Sequence, residues 1–299
     1  MTGETQQRGG ARLNLPRDLQ AVYCIARMGA VTTQTIGNLF YGSPHTARHG
    51  MARLMKLHLV RTFARAAPSF PCWYAATPTG VRWVVAETNC PVSELRVLSS
   101  LRRVNLSALA MRNRFWASLI LAARQNETVA LSLFRTEAEL RRLWEPGIPL
   151  VPDAMVVLGN ATSPERHATW FVELDGGTER LTTWREKARA YVALRDGRSL
   201  YGVTDWELVV LVPSLRRGRN IALVLHDGGA GAFSFIAVAE ELSEGRALQP
   251  LLWRATELAT MPNREPTDAL CHALVNRDVG TGRPAVGRGL STERSTAIG

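Results

Sequence analysis

Residues 170–179 read Trp-Phe-Val-Glu-Leu-Asp-Gly-Gly-Thr-Glu, an apolar run broken by two carboxylates and closed by two glycines. Alternate side chains of a strand share one face, so Phe171, Glu173 and Asp175 should point the same way. The glycine pair allows a sharp exit from the strand, and Thr178 suits the N-cap of a following helix. This stretch predicts a strand over 169–175 that leads into a helix over 179–194.

Similar apolar runs surround this stretch and alternate with amphipathic segments. The alternation predicts a mixed α/β domain over 126–260 with a small central sheet. Its expected strands are 129–134, 150–158, 169–175, 206–212 and 232–238, and its expected helices are 137–143, 179–194 and 215–225.

The first part of the chain has a different pattern, with short helices followed by a hairpin. Apolar residues at helical spacing predict helices over 16–28, 33–40 and 44–57, the last capped by Ser43 ahead of Pro44. Strands are expected over 59–65 and 72–77, and a further helix over 79–86. We therefore expect a domain over 13–90, connecting helices over 91–125 that include a long helical stretch from 94, and disordered tails over 1–12 and 276–299.

Charge is distributed unevenly between these regions. Residues 1–125 carry 16 Lys+Arg and 4 Asp+Glu, whereas residues 126–299 carry 20 and 22. A basic first part is typical of proteins that bind a polyanion, most often nucleic acid. Of the 36 basic residues only Lys56 and Lys187 are lysines, which indicates positions that favour a compact ammonium over a guanidinium.

The carboxylates of the second domain suggest a metal site. If the strands at 150–158 and 169–175 pair, Asp153 approaches Glu173 and Asp175. Carboxylates on apolar strands are costly unless a cation or a proton relieves them, and Mg²⁺ binds through one or two carboxylates plus water. Lys187 shares a helix face with Trp184 and Tyr191, although a lysine whose stem merely covers the core explains that placement equally well.

Three resemblances follow from these residues. The helices, the hairpin and the run Tyr74-Ala75-Ala76-Thr77-Pro78-Thr79-Gly80 resemble a winged helix-turn-helix domain. The Pro152-Asp153 pair with Phe171-Val172-Glu173-Leu174-Asp175 resembles the PD-(D/E)XK nuclease fold, except that Asp175 stands where that fold carries its lysine. The string from Glu173 to Glu179, with Trp184, Lys187 and Tyr191, resembles the replication-relaxation family of bacterial proteins carried by plasmids and other mobile elements.

The resemblances imply a multi-domain α/β protein that binds double-stranded DNA in the replication, transfer or regulation of a plasmid or other mobile element. The DNA-binding residues expected in the third helix and the wing are His45, Thr46, Arg48, His49, Arg53, Lys56, Arg61 and Arg65. Other proteins of plasmid replication or transfer are expected partners, and a homodimer is left open.

One alternative function is that of an endonuclease dependent on Mg²⁺ or Mn²⁺. Its catalytic residues would be Asp153, Glu173 and Lys187, and its metal ligands Asp153, Glu173 and Asp175. Another alternative is a non-catalytic adaptor that binds proteins.

Composition excludes several other classes. No apolar run approaches the ~18 residues of a membrane span, and the polar N-terminus lacks a signal-peptide pattern. The four cysteines show no CxxC spacing, which argues against a zinc ribbon or a disulfide framework. We expect a cytoplasmic protein without contact to membranes.

Overall fold

The computed structural model describes residues 15–64, 72–98, 105–144, 146, 148–160, 167–197, 199–242, 247 and 252–260. The chain divides into two compact units, Met1–Asn105 and Leu106–Gly299. The tails predicted over 1–12 and 276–299, and Arg65 of the expected wing, lie outside the described residues. Within those residues no helix is both long enough and apolar enough to cross a membrane.

The first unit combines short helices with a three-stranded antiparallel sheet in the order β1-β3-β2. A five-residue π-helical segment, Gly37–Tyr41, extends the second helix, so the helix expected over 33–40 is present in two parts. In chain order the elements are α1 Leu15–Met28, β1 Ala30–Thr32, α2 Thr33–Ile36, α3 Pro44–Lys56, β2 Val60–Ala64, β3 Trp73–Ala76 and α4 Pro78–Thr88.

Local chemistry sets both ends of α3. Gly42 adopts a left-handed conformation (φ 72°), and Ser43 then accepts a hydrogen bond from the backbone N–H of Thr46 at 3.1 Å. Pro44 occupies the first turn, where its missing N–H costs nothing. The helix ends at Lys56, and His58 reverses the chain with φ at 56°. The predicted start of this helix is confirmed.

A buried carboxylate ties α1 to α3. Asp18 is fully buried and accepts from Arg53 Nη2 at 2.7 Å on both of its oxygens. The Tyr41 hydroxyl donates to the same carboxylate at 2.9 Å. Gly50 allows the Tyr41 ring to approach, because a Cβ there would lie 2.4 Å from the ring. Arg53 is therefore part of the packing of this unit.

The second unit is built on a six-stranded sheet in the order β4-β5-β6-β7-β8-β9. The central pairs β6·β7 and β7·β8 are parallel, and the three outer pairs are antiparallel. Its elements in chain order are α5 Leu106–Gln125, β4 Val129–Thr136, α6 Glu137–Arg142, β5 Ala154–Asn160, β6 His167–Leu174, α7 Leu181–Gly197, β7 Glu207–Val212, α8 Leu215–Asp227, β8 Ser234–Val238, β9 Leu252–Arg254 and α9 Ala255–Thr260.

Helices α7 and α8 connect the parallel strands and bury aromatic residues against them. Parallel neighbours require such crossover connections, whereas antiparallel ones can be joined by tight turns. Trp184 and Tyr191 of α7 pack with Phe171 and Trp206 in a core that also takes residues of α8. Trp170, Trp184, Trp206 and Trp253 are all buried.

The expected mixed α/β class is confirmed, but three local predictions are wrong. The helix expected from 94 onward is interrupted, because Val92–Glu94 is a single 3₁₀ turn and Leu95 is extended (φ −105°, ψ 151°). Arg96 N–H then bonds to the carbonyl of Ala26 in α1 at 2.8 Å. The strand expected from 150 begins at Ala154. The sheet is larger than expected, since β9 adds a sixth strand.

Candidate functional site

Antiparallel pairing of β5 with β6 brings two of the predicted carboxylates to the same end of the sheet. Ala154 is opposite Val172, so Asp153, which directly precedes β5, lies beside Glu173. Asp153 Oδ2 accepts a hydrogen bond from the backbone N–H of Leu174 at 2.8 Å. Glu173 itself is buried. The proximity predicted for Asp153 and Glu173 follows from this register.

Helix α7 supplies two donors to Glu173. Lys187 Nζ lies 2.8 Å from Glu173 Oε2, and the Tyr191 hydroxyl donates to Oε1 at 2.6 Å. Lys187 also reaches Glu179 Oε2 at 3.1 Å and lies 4.8 Å from the centroid of the Trp184 ring. The helix face predicted for Trp184, Lys187 and Tyr191 is the face that contacts the sheet. We call Asp153, Glu173, Glu179, Lys187 and Tyr191 the acidic cluster.

Asp175 has a separate set of partners. Arg217 of α8 donates to both of its oxygens, with Nε 2.8 Å from Oδ2 and Nη2 2.9 Å from Oδ1. The Trp184 indole N–H donates to Oδ1 at 3.3 Å, and Gly177 N–H donates to Oδ2 at 3.1 Å. Arg217 also donates to the backbone carbonyl of Glu179. Asp175 is thus fully buried in an ion pair, which we call the Asp175–Arg217 clamp.

Burial is the main cause of the raised pKa values of Asp153, Glu173 and Tyr191. It raises the pKa of Glu173 to about 7, and the charge of Asp153 adds to that rise against the opposing effect of Lys187. The pKa of Asp153 is also raised, first by burial. Burial alone would lower the pKa of Lys187, but Glu173 and Glu179 together raise it. Tyr191 has a pKa well above its ordinary value because it is buried beside Glu173, so it is poorly suited to act as a nucleophile.

The donor set fits a divalent cation at two carboxylates. Burial raises the pKa values of Asp153 and Glu173, and a bound cation would favour their charged forms. Each oxygen of Glu173 accepts one hydrogen bond and retains a second lone pair. Asp175 does not fit as a ligand, because each of its oxygens already accepts two hydrogen bonds, one from Arg217 and one from Trp184 or Gly177. Over the described ranges, no group of three or more His, Cys, Asp or Glu side chains could hold a metal ion, so a cation here would take its remaining ligands from water or substrate.

A second polar surface lies on α3 of the first unit. His45, Thr46, Arg48, His49 and Lys56 are exposed there, and the rings of His45 and His49 stack edge to face with centroids 4.9 Å apart. Arg61 of β2 is also exposed and donates to the carbonyl of Leu98. Arg53 differs from these residues, because its guanidinium is directed to Asp18.

Three contributors to the acidic cluster and its surroundings were not predicted from the sequence. Tyr191 and Glu179 were placed on or near the correct helix, but only the fold shows that they contact Glu173 and Lys187. Arg217 lies 42 residues from Asp175, and no local spacing signals that contact. The pair of carboxylates on an apolar strand does indicate that such partners exist, because a buried carboxylate needs a cationic or hydrogen-bonding partner. It does not identify them.

The two units together define a mixed α/β protein with a helical basic surface in the first and a buried acid–lysine cluster in the second. The chain belongs to the replication-relaxation family, whose model matches residues 22–204, more than half of its length. The matched range includes α3 and the acidic cluster but ends before Arg217. No curated protein and no solved structure matches the chain.

Proposed function

We propose that the chain binds double-stranded DNA through the exposed face of α3 and serves the replication, transfer or regulation of a plasmid or other mobile element. The observation that carries this proposal is the row of exposed side chains on a helix whose opposite face is buried. The proposed location is the bacterial cytoplasm, and the proposed partners are DNA and other proteins of the same element.

The arrangement of the first unit supports a winged-helix mode of binding. An α-helix fits the major groove, with residues near its N-terminus meeting base edges. Here Ser43 caps that end, and His45, Thr46, Arg48 and His49 follow within the first turns. In this proposal Arg61 in the β2–β3 hairpin meets the phosphate backbone as part of the wing.

Substitution of single exposed basic residues in the full chain tests this proposal. Arg48→Ala and Lys56→Ala should each weaken binding to duplex DNA and reduce the slope of log K against log salt by about 1. Arg82→Ala is the matched control, because Arg82 is an exposed arginine on α4 of the same unit. Equal affinity of Arg48→Ala and wild type would refute the assignment of α3. Absence of binding even at low salt would favour the protein-binding adaptor.

A second candidate function is metal-dependent cleavage of a phosphodiester by the second unit. The observation that favours it is the contact of Lys187 on α7 with Glu173 on β6, beside Asp153, which agrees with the placement that the resemblance to the PD-(D/E)XK fold implies. Asp153 and Glu173 would hold Mg²⁺ or Mn²⁺, which when bound polarises the phosphodiester and promotes ionisation of water. Tyr191 orients the Glu173 carboxylate, and Lys187 directs its ammonium toward the attacking water.

Nicking of supercoiled plasmid tests this second candidate. Wild type with Mg²⁺ or Mn²⁺ should convert the plasmid to the open circle, and Asp153→Asn should not. Glu186→Gln is the control for loss of one negative charge, because Glu186 is exposed on α7. Equal nicking by wild type and Asp153→Asn would identify a contaminating nuclease and refute the site.

A further inference from the structure

Lys187 is held by two carboxylates rather than one. Its ammonium lies 2.8 Å from Glu173 Oε2 and 3.1 Å from Glu179 Oε2. Glu173 comes from β6, whereas Glu179 comes from the segment between β6 and α7. The two carboxylates therefore belong to different parts of the backbone, and each can bind the Lys187 ammonium when the other is altered.

The segment that carries Glu179 is fixed independently of Lys187. Arg217 donates to the carbonyl of Glu179 and to both oxygens of Asp175 at the start of the segment. Gly177 N–H bonds to Asp175 within the same turn, with Gly177 at φ 82°. The Asp175–Arg217 clamp thus sets the backbone position from which the Glu179 side chain reaches Lys187.

We propose that Glu179 is a positioning residue that keeps the Lys187 ammonium in the acidic cluster when Glu173 is engaged by a cation. This inference rests on the proposed metal-dependent cleavage. A cation bound to Glu173 competes with Lys187 for the same carboxylate. Release of Lys187 is favoured because a long lysine side chain then gains rotamer freedom. Glu179 supplies a second anchor, and the clamp prevents that anchor from following the displaced ammonium.

The lysine content of the chain permits a direct measurement. Because Lys56 and Lys187 are the only lysines, incorporation of lysine labelled with ¹⁵N at Nζ restricts the side-chain ammonium signals to these two residues. Lys56 is exposed and exchanges its protons with water, whereas an ammonium bound by carboxylates is protected. In the absence of metal, the neutral side chain of Glu173→Gln imitates a Glu173 whose negative charge is neutralised by a bound cation.

The expected result is a Lys187 ammonium signal in wild type, in Glu173→Gln and in the control Glu186→Gln, and its loss in Glu173→Gln/Glu179→Gln. Loss of the signal in Glu173→Gln alone overturns the proposal, as does its persistence in the double variant. Because Glu173 is buried, Glu179→Gln alone provides a second test. Its Lys187 signal must be weaker than that of Glu186→Gln, and equal signals overturn the proposal.

Plasmid nicking provides the functional readout. Glu179→Gln should lower the rate at saturating Mg²⁺ by about 10- to 100-fold, the usual effect of removing an outer partner of a metal site, whereas Glu186→Gln should match wild type. A rate for Glu179→Gln equal to that of Glu186→Gln overturns the proposal. Absence of nicking in every protein, wild type included, refutes cleavage alone, and the ammonium signals then decide the role of Glu179.

Discussion

Replacement of Arg53 should destabilise the first unit rather than weaken a DNA contact. Asp18 is 0% exposed and Arg53 24% exposed in their ion pair. Removal of one partner from a buried pair costs about 3–5 kcal/mol because the other charge remains uncompensated. The partial exposure of Arg53, the remaining hydrogen bond from Tyr41 and the Arg17 Nε at 4.0 Å from Asp18 Oδ1 place Arg53→Met near the lower end, at about 3 kcal/mol.

A unit of this size loses about 4–8 °C of melting temperature per kcal/mol, so a loss of about 3 kcal/mol should lower the melting temperature by about 12–24 °C. Hydrogen exchange with mass spectrometry assigns the loss to peptides of α1 and α3 within the full chain. Arg48→Met is the matched control, since Arg48 lies on the exposed face of the same helix. Asp18→Asn/Arg53→Met should recover much of the loss, because no buried charge is left without its partner.

The reasoning would be refuted if Arg53→Met and Arg48→Met were equally stable and both weakened DNA binding. That result would place the Arg53 guanidinium on the DNA rather than on Asp18. The expected pattern is the reverse, with stability dependent on Arg53 and affinity dependent on Arg48.

Three further predictions concern Glu173, Asp175 and Gly50. Burial raises the pKa of Glu173 to about 7 from 4.5, so the folded chain holds this proton more tightly than the unfolded chain. The free energy of unfolding should fall as pH rises from 4.5 to 7, and denaturant midpoints should show a flatter fall in Glu173→Gln; equal slopes would contradict the assignment. Asp175→Asn should cost about 3–5 kcal/mol in urea unfolding by leaving Arg217 without its carboxylate, while Asp205→Asn, in an exposed pair, should be near neutral. Gly50→Ala should lower the melting temperature despite the ~1 kcal/mol helix preference of alanine, because its Cβ meets the Tyr41 ring; a higher melting temperature would show that the ring moves aside.

Local signals made much of the fold predictable. The Ser43-Pro44 pair marks the start of α3, since capping depends on residues three positions apart. The alternation of side chains around Glu173 likewise predicts β6 and one face for Glu173 and Asp175, because a strand face depends on residues two positions apart. The three-residue strand β1 was missed because Ala30–Thr32 is too short to show a period, and its pairing with β3 joins residues far apart in sequence.

The candidate sites were predictable only in part, because tertiary partners decide what each charged side chain does. Arg48 and Arg53 look alike in the sequence, and only the burial of Asp18 separates them. Asp175 was predicted as a metal ligand from its face on the strand, and its contact with Arg217 leaves Asp153 and Glu173 as the proposed ligand pair. Whether these two bind a metal stays a prediction.

The sequence separations within the acidic cluster have a consequence for how the chain folds. Lys187 lies 8 residues from Glu179 and 14 from Glu173, and Tyr191 lies 18 from Glu173. The Asp175–Arg217 contact spans 42 residues and requires β7 and α8 to be in place. Short loops close at lower entropic cost than long ones. We therefore expect the lysine and its carboxylates to meet while the sheet is still growing, and Arg217 to close over the finished turn as one of the last steps of assembly.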